Sequence, residues 1–499
     1  MRRYVVLFVL GVLATLPYWG CYQDMDDEAV SVLGITRLLA GEIPYRDWTT
    51  RHTPGSYFLS LPFFFLFGNG ALATRAWMAV VSSLTGMTLQ AASEQFLTGR
   101  LRYLPWLVWT CTGLLDKPQL NYHWFGCLFS CVTLWLILLW VKSPQPNRLP
   151  YAVGLVAALS SWMIQSNGAS SWLMIVLVWL RLRPPGLLKV IGAYLVTQLL
   201  LWLPWAAFWP QVWENHVDIL GRHLQFNRQP YSWRYLGDLF RGYQNLDWGR
   251  QPVLALSAWS YLGHQCLQYG LFYLAIFVHL GVAEWRRDRV RRALAYACLA
   301  WAVTTGYCQT IGYLAYAAPA FWLTAAALVP VSGRWLAYLW MALELAGWGL
   351  RAGSMAEVFR YPCVTRAGSY WCANELEAQE LRTLHAFVEE HCPPQSQVLA
   401  YPYLTRLYTT ENLKNPIADP ILLPWLWSDK AFQDCKQRLA QQRVPYLFYR
   451  PLSGEAIHSD YPSVPAQEFE VAAERAWSSI SQDYEPVWQG QIFQIWRRR

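Results

Sequence analysis

Four carboxylates fall within five residues of one another: Asp24, Asp26, Asp27 and Glu28. Carboxylates grouped this closely can take a proton from an attacking hydroxyl, offset positive charge in a transition state, or ligate a hard cation. The Asp24-Met25-Asp26 spacing suits a divalent cation, and the adjacent Asp27-Glu28 pair suits proton transfer. They follow a first apolar segment, so they fall at an expected membrane surface. There a carboxylate drawn into the bilayer costs about 2.5 to 3.5 kcal/mol on insertion scales. A binding or catalytic use explains such a cluster. A solvated acidic loop without chemistry explains it too, and composition does not separate the two.

The residues that follow have an order of their own. Ala29 to Ala40 carries Val32, Ile35, Leu38 and Leu39 on one side at helical spacing, and Gly41 supplies a C-terminal stop. This predicts a helix lying on the membrane surface, whose N-terminal partial charge helps keep Asp27 or Glu28 ionised. Then come Gly41-Glu42-Ile43-Pro44-Tyr45-Arg46-Asp47-Trp48, Arg51-His52-Thr53-Pro54-Gly55, and an aromatic-rich amphipathic stretch to Gly68.

Positioning these residues falls to a chain that is 55% hydrophobic and only 14% charged, well below the charged fraction of soluble proteins. The 30 Trp and 29 Tyr among 499 residues suit side chains that sit between lipid and headgroups. Apolar segments near 4–21, 70–93, 103–116, 122–141, 151–165, 169–182, 188–209, 262–284, 293–308, 311–330 and 335–352 predict an α-helical polytopic membrane protein with about eleven transmembrane helices. The least defined junction is Gln165-Ser166-Asn167-Gly168. Met1-Arg2-Arg3 and the apolar run behind it resemble a signal peptide without a small-residue cleavage site, and are read as an uncleaved first span.

With the N-terminus inside, every inner connection is basic: Arg100 and Arg102, Lys142 and Arg148, Arg181, Arg183 and Lys189, the Arg286 to Arg292 cluster, and Arg334. Topology therefore explains the net charge of +8 better than nucleic-acid binding does. The opposite face receives 22–69, 210–261 and 353–499. The first two are external loops of a transmembrane domain over 1–352. Residues 353–499 read as an α/β extracytoplasmic domain, with strand-like runs at Gln397 to Tyr401 and Pro445 to Tyr449 and a helix over Asn374 to Glu390. Cys363, Cys372, Cys392 and Cys435 lie on this expected oxidising side, where one or two disulfides or reduced structural thiols both fit. No metal-type CxxC spacing occurs among the 11 Cys.

The first external loop, DEAVSVLGITRLLAGEIPYRDWTTRHTPG, resembles that of the GT-C-fold glycosyltransferases that use polyprenyl-phosphate sugars, including protein O-mannosyltransferases and the aminoarabinose transferases of lipid A. Their loop runs approximately DE, an amphipathic helix, Gly, PYRD, then a basic residue with Pro-Pro or Pro-Gly. The order and spacing over about thirty residues carry the resemblance; helix number and loop sides extend it along the chain. It implies an inverting glycosyltransferase passing a sugar from a polyprenyl-phosphate carrier to a hydroxyl acceptor, which could be lipid, glycan or protein, at the extracytoplasmic face of the plasma membrane. Asp27 takes the place of the catalytic Asp and Glu28 that of its acidic neighbour. Val30 and Ser31 stand where a Tyr is frequent, and Thr53 replaces a common Pro, which leaves the acceptor less defined than the reaction.

A lipid-linked phosphate leaving group requires cations, for which Arg46, Arg51, His52, Lys117, Arg222 and Arg228 are candidates. Each also reads as an interfacial anchor meeting membrane lipids. Tyr45 and Asp47 are candidate substrate contacts beside them. The turn Asp116 to Trp124 adds Asn121 and His123 as donors to a sugar or phosphate, or as caps of the next helix. The segment around Arg228 suits a clamp or lid, or a stretch of chain lying on the membrane. A divalent cation at Asp24 and Asp26 is the one cofactor suggested. The alternative class is a non-catalytic lipid or glycan transporter or assembly factor; it predicts mid-membrane ionisable residues, whereas the carboxylates here gather at the surface.

Overall fold

A computed structural model describes residues 2–21, 26–50, 52–113, 119–143, 148–226, 252–308, 317–332, 334–402, 404–417, 429–451 and 466–499. Helices dominate its first part: α1 (Arg2–Ala14), α2 (Asp26–Leu39), α3 (Gly55–Phe67), α4 (Ala71–Ser93), α5 (Leu104–Thr112), α6 (Tyr122–Lys142), α7 (Leu149–Met163) and α8 (Gln165–Leu182). They continue with α9 (Leu187–Trp202), α10 (Trp209–Phe226), α11 (Pro252–Arg286), α12 (Arg289–Cys308), α13 (Ala318–Ser332) and α14 (Arg334–Val358).

Two stretches are long and apolar enough to cross a membrane by length and composition, Tyr122–Lys142 and Leu187–Val217. Gly55–Phe67, Leu149–Met163 and Ala318–Pro330 are shorter apolar helices. The core lies where α4, α6, α7, α8, α12 and α13 meet, around the buried rings of Trp109, Trp124, Trp140 and Trp301. On the outside, α9 turns Leu188, Leu195, Leu199 and Leu200 outward, and α1 exposes Val5, Val6, Val9 and Leu13. Contiguous exposed apolar surface of this kind suits lipid rather than water.

Polar contacts bind the helices inside. Ser171 donates to Ser160 Oγ at 3.1 Å, Ser130 and Ser160 share a hydrogen bond at 3.3 Å, and Asn167 Nδ2 donates to Ser130 Oγ at 3.3 Å. The expected turn at 165–168 is a single-residue break instead. Ile164 adopts extended angles (φ −161°, ψ 138°), and α8 begins at the next residue. Asn167 and Gly168 are thus helical, held by side-chain packing against α6 and α7 that periodicity does not register.

The second part begins with a hairpin, β1 (Tyr361–Thr365) and β2 (Gly368–Cys372), followed by α15 (Glu375–His391), β3 (Leu399–Tyr401), α16 (Arg406–Thr410), α17 (Asp429–Gln441), β4 (Tyr446–Tyr449), α18 (Ala466–Ile480), β5 (Tyr484–Gln489) and β6 (Gln494–Arg498). Asn374 caps α15 by accepting from Leu376 N at 2.9 Å. The sheet runs β3-β4-β6-β5, with β3 and β4 parallel and the other pairs antiparallel. Its register sets Leu399 beside Leu447 and Phe448 beside Ile495, all fully buried. The hairpin brings the Cys363 and Cys372 thiols 2.7 Å apart, both buried.

One element departs from its sequence reading. The helix expected to lie on a membrane surface, α2, is buried on every side along 28–35. Val32 and Ile35 join the helical core, whereas Leu33 joins the core of the second part with Tyr370, Leu404, Leu407 and Tyr408. Its periodic apolar stripe was legible, but Leu33 lies off that stripe and finds a protein partner some 370 residues further along the chain, with α16 packed against α2. The strand-like runs at 397–401 and 445–449 match β3 and β4.

Candidate active site

α2 brings Glu28 to the junction of the two parts. The Glu28 carboxylate, 3% exposed, forms an ion pair with Arg75 of α4, accepts a hydrogen bond from Leu120 N at 2.8 Å, and lies 3.6 Å from Arg406 Nη2 of α16. Arg75 and Arg406 are themselves buried, and Arg75 Nη2 donates to Cys21 O at 3.3 Å. Two guanidiniums and a peptide N–H occupy this carboxylate, as burial of an ion demands. Removing Arg75 would break the close ion pair and leave the buried carboxylate with Arg406 3.6 Å away.

After α2 the chain reverses through Gly41, at φ +84°, a conformation that glycine adopts without steric cost. Tyr45 holds φ +69°, kept there by its N–H to Trp48 O at 2.8 Å and its hydroxyl to His52 O at 3.2 Å. Asp47 accepts from Ile43 N at 2.7 Å, and the neighbouring Arg46 guanidinium closes on it at 2.6 Å and 2.9 Å. This hydrogen bond from Arg46 holds the Asp47 carboxyl below the usual carboxylate range. Arg46 and Asp47 thus serve one another on an exposed turn, while Tyr45 points inward and burial raises its phenol well above its ordinary value.

Tyr45 packs against Trp202 and His216, with ring centroids 6.3 Å and 5.5 Å away, and shares a cluster with Trp205 and Val212. The start of α10 is tied down there, because Asn215 Nδ2 also donates to Thr50 O. His52 stacks on Tyr122 at 3.6 Å, with His123 6.4 Å away. Asn121 accepts from His123 N at 2.9 Å and so caps α6, making it a capping residue with a buried side chain. Leu120, Asn121, Tyr122 and His123 therefore sit between Glu28 and His52 in the hydrogen-bond and ring contacts.

Of the other residues singled out by the sequence, Asp24, Arg51, Lys117 and Arg228 lie outside the described residues, as do the side chains of Asp26, Asp27 and Arg222. Among the described residues no group of three or more His, Cys, Asp or Glu could hold a metal ion. The sequence reading missed Arg75, Arg406 and Arg37. Arg75 was detectable, since a charge inside an apolar 70–93 segment is expensive without a partner. Arg406 and Arg37 left no comparable local signal.

No family model matches the chain, and no curated protein matches its sequence. Solved structures do match in fold. ArnT from Cupriavidus metallidurans, bound to undecaprenyl phosphate, superposes with a TM-score of 0.56 at 12% identity, covering 99% of this chain and 97% of that one. The Archaeoglobus fulgidus oligosaccharyltransferase tethered to an acceptor peptide superposes with a TM-score of 0.54 at 10% identity, over 95% of this chain and 72% of that one. The oligosaccharyltransferase AglB from Archaeoglobus fulgidus, with an inhibitory peptide and a dolichol-phosphate, gives 0.52 at 11% identity over 97% and 72%. The chain has the GT-C fold. Within this GT-C fold the first loop, the start of α6 and α16 converge on Glu28.

Proposed function

We propose that the protein is a membrane-embedded inverting glycosyltransferase that moves a sugar from a polyprenyl-phosphate carrier to a hydroxyl acceptor at the non-cytoplasmic face. The reading rests on one observation above the rest, the superposition along nearly the whole of both chains with an ArnT that holds undecaprenyl phosphate. The DE-to-PYRD loop of the sequence supports it, as does the anchoring of the helix that carries the DE pair. The exposed apolar helix faces support a bilayer setting, with about eleven spans over 1–352 and the 353–499 domain outside the cytoplasm.

In this reaction the acceptor oxygen forms a bond to the anomeric carbon as the bond from that carbon to the phosphate oxygen breaks. The bonding pair leaves with the polyprenyl phosphate, and the acceptor's proton passes to Asp27. Glu28 is held at Oε2 by Arg75 and Leu120 N, with Arg406 3.6 Å from Oε1. Its part is therefore to fix the start of α2 and, with it, the neighbouring Asp27. Charge on the leaving phosphate is offset by cations from among Arg46, Arg51, His52, Lys117 and Arg228. Tyr45, Asp47, Asn121 and His123 form the wall and turns around the sugar, Asn121 through the cap it gives α6. A divalent cation held by Asp24 and Asp26 would add to the neutralisation of phosphate.

The test is transfer from a panel of radiolabelled polyprenyl-phosphate sugars, with wild type and Asp27→Asn in membranes containing native acceptors. Transfer or slow donor hydrolysis by wild type that disappears in a folded Asp27→Asn protein is the expected result. Carrier binding without turnover in both proteins, over the whole panel, would instead establish a transporter or assembly factor.

A further inference from the structure

We infer that Arg406 is a positioning residue of the transferase site, by which the C-terminal part of the chain sets the catalytic helix α2 from outside the helical bundle. The inference rests on the glycosyltransferase reading for its kinetic consequence, although its structural consequence stands alone.

Arg406 opens α16, a helix of five residues that is buried throughout. Its guanidinium is 3.6 Å from Glu28, lies 5.1 Å above the Tyr370 ring of β2, and is close enough to oppose the rise that burial gives the Glu377 carboxyl. One cation thus joins α2, the β-hairpin and the first turns of α15. The far end of α2 is held from the same side, where Arg37 Nη2 donates to Ile417 O at 3.0 Å. The approach to α2 is held as well, since Trp371 N donates to Gly20 O at 3.0 Å. Chain from 370 to 417 therefore grips α2 before its start, at Glu28 and near its end.

The charges at Glu28 explain why this grip matters. Glu28 pairs with Arg75 and stands 3.6 Å from Arg406, so the carboxylate next to Asp27 in sequence is approached from both α4 and α16. Held from two elements, the start of α2 keeps one position and orientation. Preorganisation of this sort acts on the transition state more than on the bound donor, because small misplacements of a reacting group cost rate steeply.

The experiment uses the full chain in lipid nanodiscs, with Arg406→Gln, Arg406→Lys, Glu28→Gln and the Arg406→Gln/Glu28→Gln double variant. For Arg406→Gln, kcat falls on the order of 100-fold with donor KM within about twofold of wild type. Arg406→Lys recovers part of the rate. The double variant is no slower than Glu28→Gln alone. Backbone hydrogen exchange over 26–39 rises in Arg406→Gln while exchange in α6 to α8 stays as in wild type, and this readout needs no transfer activity. A raised KM with intact kcat, or unchanged exchange with unchanged kcat, would overturn the inference. Should Arg406→Gln fail to fold, Arg406→Lys decides by the same two readouts. Persistent transfer by Asp27→Asn would sink the transferase reading instead, leaving the exchange result to judge the grip on α2.

Discussion

Arg37 Nη2 donates to the backbone carbonyl of Ile417 at 3.0 Å, across 380 residues of chain. Arg37 is only 7% exposed, lies over the Trp48 ring at 5.8 Å and stands 3.7 Å from Glu42. The contact ties the first loop to the chain that follows α16. Replacing Arg37 with Ala leaves the Ile417 carbonyl and Glu42 without that donor. The expected cost is about 1.5 to 3 kcal/mol, read as a lower thermal midpoint in detergent. An Arg37→Ala protein as stable as wild type would mean that water replaces the contact.

Glu380 of α15 closes the β5-β6 turn. Its carboxylate accepts from Gln491 N at 2.6 Å, Ile492 N at 3.0 Å and Phe493 N at 2.9 Å while only 6% exposed. Glu380→Ala orphans three peptide donors and should cost about 3 to 5 kcal/mol. Limited proteolysis of the sheet checks this: cleavage after 484 should accelerate strongly, and an unchanged digestion pattern would refute the assignment.

Glu411 gives the pH dependence. Its carboxyl is 1% exposed and accepts from His385 Nδ1 at 2.9 Å; burial raises its pKa above the ordinary 4.5, with the His385 hydrogen bond pulling the other way. For a folded pKa that is raised, the stabilising contribution is complete below the unfolded value and is lost as pH rises through the folded one. Glu411→Gln has no such titration. The stability of the variant relative to wild type should therefore improve as pH climbs above 4.5, measured by thermal unfolding across a pH series. A constant difference would contradict the argument.

Gly55 tests the seating of the first loop. A Cβ there would strike the carbonyl oxygen of Trp162, in the last turn of α7. Backbone cannot yield as a side chain can, so Gly55→Ala should cost about 1 to 3 kcal/mol. It should also displace α3 from α7, which a distance measurement between labelled sites on the two helices would detect.

Much of this was written locally. Hydropathy marks the helices, Asn374 and Asn121 occupy cap positions, and Gly41 stands where the chain must turn left-handed. The loop from Asp27 to Gly55 carries its own signature through order and spacing. These signals survive in sequence because each depends on neighbours within a few residues: a helical stripe, a cap, a turn.

The partners of Glu28 were not local. Nothing near it in sequence distinguishes an acidic residue that meets solvent from one locked between Arg75 and Arg406, which stand 47 and 378 residues away. The same holds for α2, whose amphipathic stripe fits a membrane surface as well as it fits the helical bundle. Only the close approach of the C-terminal part, which covers Leu33, sets Arg406 near Glu28 and offers the Ile417 carbonyl to Arg37, decides between them. Burial of a charge depends on what packs around it in three dimensions, and that is set by contacts of long sequence separation.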